Sequence, residues 1–137
     1  MSFSDYLEDK VLDHVFGGNA YTAPTTLYVG LFTSTPTDST AGTEVSGGSY
    51  TRKTAAFTVS GTSPTEAASS AAIEFPTATA TWGTVTYAGI FDASSSGNMI
   101  AYAELTDPAD LTTALPKTIG TGDVFRISSG NLKIRLD

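Results

Sequence analysis

Covalent catalysis needs a hydroxyl or thiol activated by a nearby base, and the chain offers little to build one. It has no cysteine and a single histidine, His14, beside Asp13. His14 falls in a run that reads as helix among acids, where a solvated imidazole near the negative helix end is the expected role. Gly61-Thr62-Ser63-Pro64-Thr65 lacks the closing glycine of a nucleophile elbow. Gly120-Thr121-Gly122 has the look of a phosphate-binding turn, but Asp123-Val124-Phe125 then opens a strand. Without a helix N-terminus there is no cradle for an anion. Glu104, Asp107 and Asp110 are close enough in sequence to suggest paired-carboxylate chemistry or a calcium site. Asp107 and Asp110 lie near Glu104 in a proline-containing loop, with no EF-hand spacing and no aromatic platform close in sequence, so neither is expected. The reading is no enzyme, no cofactor and no metal, and the lack of cysteine excludes disulfides and thiolate ligands.

Contact chemistry is left. Trp and Tyr carry much of the binding energy at protein surfaces. Trp82, Tyr87, Phe91 and Tyr102 fall on strands, where core or sheet surface is the commoner fate. Tyr21, Tyr28 and Tyr50 border loops and are better placed to touch a partner. The candidate contact residues are therefore these three tyrosines, Trp82, and an apolar stripe of Phe3, Leu7, Val11 and Val15.

That stripe recurs every four residues and predicts an amphipathic helix over residues 2–16. Ser2 with Asp5 resembles a capping box, and Gly17-Gly18 supply the stop. Such a helix either packs on its own sheet or docks on a neighbouring subunit. Beyond it the pattern turns to β. Residues 26–33 are apolar on both faces and read as a doubly covered strand. Further strands are predicted at 50–60, 71–75, 82–92, 99–105, 124–127 and 131–136. Over 82–92, Val85, Tyr87 and Gly89 are expected on one face. Residues 34–49, 61–69 and 106–118 read as loops. The last two strands, joined by Ser128-Ser129-Gly130, read as a tight hairpin with Leu132, Ile134 and Leu136 inward and Lys133, Arg135 and Asp137 outward. The expectation is an all-β fold, an antiparallel β-sandwich of the jelly-roll kind or close to it. The helix occupies 1–18 and one sandwich domain spans 19–137.

Composition agrees. Of 137 residues, 23 are Thr and 15 Ser while only 15% are charged; β-branched Thr suits a pleated, half-exposed surface. The net charge of −7 would repel phosphates, and no basic cluster exceeds Arg52-Lys53, so nucleic acid is not expected as a partner. No apolar run suggests a membrane span and the N-terminus does not read as a signal peptide, so synthesis in a cytoplasm is expected.

Several segments in order carry a family likeness: Leu27-Tyr28-Val29-Gly30-Leu31-Phe32, Gly48-Ser49-Tyr50-Thr51-Arg52-Lys53, Ile73-Glu74-Phe75-Pro76, Trp82-Gly83, Tyr87-Ala88-Gly89-Ile90-Phe91-Asp92 and Phe125-Arg126-Ile127-Ser128-Ser129-Gly130-Asn131-Leu132. The chain resembles small structural proteins of tailed bacteriophages known as head decoration (cement) or tail fibre proteins. The resemblance implies a non-enzymatic virion component. Its first implication is a capsid-surface cement subunit, a homotrimer bridging major capsid proteins; its second is a tail-fibre or baseplate subunit. A host-glycan-binding module working through Trp82 and tyrosines is the remaining alternative.

Overall fold

The helix starts later than its apolar pattern predicts. In the computed structural model, which describes residues 2–110 and 112–136, Ser2–Phe3 is a short strand, β1. Ser4 rather than Ser2 is the N-cap of α1 (Asp5–Leu12), its hydroxyl accepting from the Leu7 N–H at 3.3 Å. Ser4 is buried, and the same hydroxyl donates to the Met99 and Ile100 carbonyls. Pairing with a strand satisfies backbone groups that a first helical turn would leave open. A π-helical turn, Asp13–Gly17, extends α1 until Gly18 ends it in the left-handed region at φ 78°.

The remaining strands are β2 (Leu27–Phe32), β3 (Lys53–Ala55), β4 (Phe57–Ser60), β5 (Thr65–Ser69), β6 (Ile73–Glu74), β7 (Gly83–Val85), β8 (Tyr87–Phe91), β9 (Met99–Glu104), β10 (Lys117–Ile119), β11 (Arg126–Ile127) and β12 (Lys133–Leu136). A five-stranded antiparallel sheet, β1-β9-β8-β2-β3, forms one layer. Three small ladders, β10-β7, β11-β6 and β12-β5-β4, form the other. The main core includes Val29, Leu31, Ile90 and Ile100 from the large sheet and Ile73, Phe75, Val85, Ile119, Phe125 and Leu132 from the opposing side. This is the expected sandwich.

Two predicted long strands are each broken at one residue. Residues 50–60 divide at Ala56, with β3 in the large sheet and β4 in the opposing layer; residues 82–92 divide at Thr86 in the same way. Strands that change sheets at a bend make the corners of a sandwich. The break also reverses the expected facing: Val85 lies in the main core, whereas Tyr87 packs on the opposite side of the large sheet.

The terminal hairpin does not form. β11 pairs with β6 and β12 with β5, so Ser128-Ser129-Gly130 leads from one ladder to another. Residues 61–69, expected as loop, contain β5, the centre of the three-stranded sheet. Its Thr-Glu-Ala-Ala-Ser run has little apolar signal, and its place comes from pairing on both sides. The end of the expected 106–118 loop likewise enters β10. Leu132 is buried, Ile134 half-buried and Arg135 exposed, as expected, while Lys133 is half-buried. Asp137 and the Leu136 side chain lie outside the described residues.

Residues 38–42 of the 34–49 loop lie over the outer face of the large sheet, while Thr43 and Val45 bond to the end of β2. On that outer face Phe32, Phe91 and Met99 are buried, with Tyr28, Tyr87 and Tyr102 around them. Phe32 and Phe91 meet edge to face at 5.8 Å. Directly paired Gly30 and Gly89 leave room for these rings: a Cβ on Gly89 would come within 2.5 Å of the Phe32 ring. Asp38 pins the loop by accepting from the Tyr102 hydroxyl at 2.6 Å and the Ser2 hydroxyl at 2.9 Å. Those bonds hold its carboxyl below the usual range, and the bond to Asp38 in turn holds the Tyr102 phenol above its own.

Candidate contact surfaces

The eight residues proposed from sequence separate into three environments. Trp82 and Tyr50 belong to the interior. Trp82 is 5% exposed and its indole N–H donates to the Gly48 carbonyl at 2.9 Å. Gly48 sits at φ 58° against that indole, where a Cβ would fall 2.9 Å from the ring nitrogen. Tyr50 meets Trp82 edge to face at 5.3 Å and stacks on Phe75 at 6.2 Å; Phe75 then meets Phe125 at 5.6 Å. Four of the six segments that carried the family likeness, those with Tyr50, Phe75, Trp82 and Phe125, thus converge on one aromatic row.

Tyr50 continues into a polar clasp. Its hydroxyl accepts from the Leu31 N–H at 2.9 Å and donates to Glu44 at 2.8 Å. Burial pushes its phenol well above the usual range, the Glu44 carboxylate adding to the rise. Glu44 in turn takes a bidentate pair from Arg52, two bonds of 2.8 Å. Arg52 also donates to the Ala93 and Ser96 carbonyls, and its guanidinium lies 3.5 Å from the Phe91 ring centre. Its side chain is 7% exposed. The clasp ties the loop before β3 to the turn after β8. Sequence reading saw Arg52 only as part of a basic pair, because nothing in its spacing marks Glu44 as its partner.

The helix is divided along its length. Phe3 is half-buried in β1, and Leu7 packs with Tyr6 against the main core. Farther along, Val11 is 40% exposed, Leu12 58%, Val15 61% and Phe16 82%. The far end of α1 and its π-helical turn therefore present an apolar knob, on the same turns as the Asp9–Lys10 ion pair and Asp13.

Tyr21 and Tyr28 share a third environment. With Tyr6 they line an open groove of about 500 Å³ beside Asp92 and Ser94. The segment after the helix is held there by the Tyr21 N–H, which donates to His14 Nδ1 at 3.1 Å. Burial raises the Tyr21 phenol above its usual range, with Tyr6 and Asp92 adding to the effect. A second depression of about 330 Å³, lined by Asp5, Asp38, Thr40 and Asn98, also includes Tyr6.

Two of the three acids considered for catalysis serve locally. Asp107 accepts from the Ala109 N–H at 2.8 Å. Asp110 accepts from the N–H groups of Thr112 and Thr113 and from the Thr113 hydroxyl, which takes its carboxyl down to about 2. Among the described residues, no three metal-ligating side chains converge.

No curated protein matches the chain. A family model described as "Podophage GP4 fiber I protein gp80" matches residues 2–135, from β1 into β12. That span takes in the aromatic row, the clasp, the apolar helix end and the tyrosine groove, and the chain belongs to this family of phage fibre proteins, structural components of the virion.

Proposed function

We propose that the chain is a tail-side fibre subunit that works through contact area without catalysis, and that the projecting end of α1 seats it on a neighbouring virion protein. The fibre description of its family favours this role over decoration of the head shell. One observation carries the docking role: Leu12, Val15 and Phe16 stay mostly exposed on a helix whose first turns are packed into the body. An exposed apolar cluster of this kind marks an interaction surface. Burying it would contribute roughly 1.5–3 kcal/mol per fully covered side chain, before the ordering costs of association.

The knob calls for a receiving groove that is apolar within. Further copies of this chain in a trimer are one source of neighbours, and other tail proteins are another. The test is incorporation of a Val15→Asp/Phe16→Asp variant into virions made in its presence, compared with the wild type. The variant should fold and remain outside the particle. Equal incorporation of both would remove the docking role.

A further inference from the structure

We propose that the open edge of β4 pairs with β4 of a second copy of this chain, joining two subunits through one continuous sheet. β4 ends the order β12-β5-β4, and among the described residues no other backbone bonds its far side. The direction of its free groups follows from the neighbouring bonds. The Ser70 N–H donates to the Ala56 carbonyl, whereas the Ser69 N–H, opposite Phe57, donates the other way to Leu132. By the alternation of an antiparallel ladder, the N–H and C=O groups of Phe57 and Val59 point away from β5. Thr58, Val59 and Ser60 are exposed along that edge.

Edge strands are commonly guarded by a charge, a proline or a bulge. The opposite edge of the same sheet, β12, carries Lys133 and Arg135. β4 has none of these guards: Phe57-Thr58-Val59-Ser60 holds no charge and no proline, and its register with β5 runs without interruption. Residues 54–65 contain no Asp, Glu, Lys or Arg. Two copies can therefore bring these edges together at a neutral strip, although each chain carries −7 overall.

A second copy fits the edge in one register. With the two strands antiparallel and Thr58 at a two-fold axis, Phe57 of each copy faces Val59 of the other. Each facing pair then exchanges two backbone bonds, and every outward group of Phe57 and Val59 finds a partner. The side chains agree with the same register. Phe57 and Val59 share one face of the strand; Phe57 packs on the main core, while Val59 overhangs it at 68% exposed. The Phe57 ring of the second copy would cover that Val59. On the other face Thr58 meets its own equivalent, a favourable cross-strand pair. A four-residue edge buries far less than the roughly 800 Å² per partner of a standard interface, so the pairing is weak in dilute solution and is best trapped covalently.

The chain has no cysteine, so a single introduced one reports the contact. Full-length Thr58→Cys and Ser60→Cys proteins are oxidised at the same high concentration, and disulfide-linked dimer is followed on non-reducing gels. Both positions are exposed on the same face of β4. In the paired register the two Thr58 positions are adjacent, whereas the two Ser60 positions are displaced by roughly 13 Å along the strands, too far to bridge. The Thr58→Cys protein should cross-link at least tenfold faster. Adding Val59→Pro removes an outward N–H without touching a bond to β5, and adding Val59→Lys supplies the missing charge; each should bring the rate down to that of Ser60→Cys. The proposal is overturned if the two cysteine variants react at equal rates, if Ser60→Cys reacts faster, or if neither change at Val59 slows the reaction. Val15 and Phe16 are untouched in every variant, so failure here leaves the docking role of the helix end standing.

Discussion

Arg52 illustrates how single side chains hold this molecule. Its guanidinium satisfies Glu44, caps two turn carbonyls and covers Phe91 at once. Arg52→Ala would leave the half-buried Glu44 carboxylate without its cation and with the Tyr50 hydroxyl as its remaining partner, a loss of about 3 kcal/mol, the lower end for breaking a buried pair from one side. Urea denaturation should show that loss, with only partial recovery in Arg52→Lys, since an ammonium cannot form the bidentate fork. Trp82 gives a second contrast. Because its ring is in the core row, Trp82→Ala should destabilise the fold by about 3–5 kcal/mol. Full thermal stability in that variant would show that the row is misassigned. Asp110 supplies a pH test. Its folded carboxyl, at about 2 against an ordinary 3.8, contributes ordering that is complete above the ordinary value and is lost as pH falls toward 2. The Thr112 and Thr113 amide signals should titrate with that low midpoint; a midpoint near 4 would contradict the bonds described. Little of this was legible in sequence: Trp82, Tyr50 and Arg52 have the composition of a binding surface, and only long-range partners turn them inward.

Among the elements, β2 was read correctly because apolar side chains on both faces have one meaning, a strand covered twice. The corners at Ala56 and Thr86 escaped notice because alternation continues through a bend while the pairing partner changes. β5 escaped because Ala and Ser carry little periodic signal. The terminal hairpin was inferred from a good turn between two strand patterns, yet each strand finds a partner elsewhere. At the β2–β8 contact, Gly89→Ala would drive a methyl into Phe32. Overpacking of this kind should cost about 1–3 kcal/mol, measured by the denaturation midpoint. The helix stripe was legible, but its division was not. Phe3 left the helix for β1, Leu7 joined the core, and Val11 and Val15 stayed outside. Charged substitutions at Val15 and Phe16 should therefore change stability by no more than about 0.5 kcal/mol, as at other exposed sites. A large loss would mean that the helix end belongs to the body.

For the whole molecule, a two-layer body with a covered outer sheet face leaves the apolar helix end exposed, and the proposed seating rests on that surface. The all-β class and the phage likeness were legible because composition and segment order do not depend on strand pairing. Head against tail was not legible, because both locations use compact β subunits that act by contact. The most direct test is a side-chain-resolution map of the intact virion. It should show this chain at the tail, with Leu12, Val15 and Phe16 buried in a neighbouring protein. A map that places it only over the head shell, or leaves the helix end in solvent, would contradict the account.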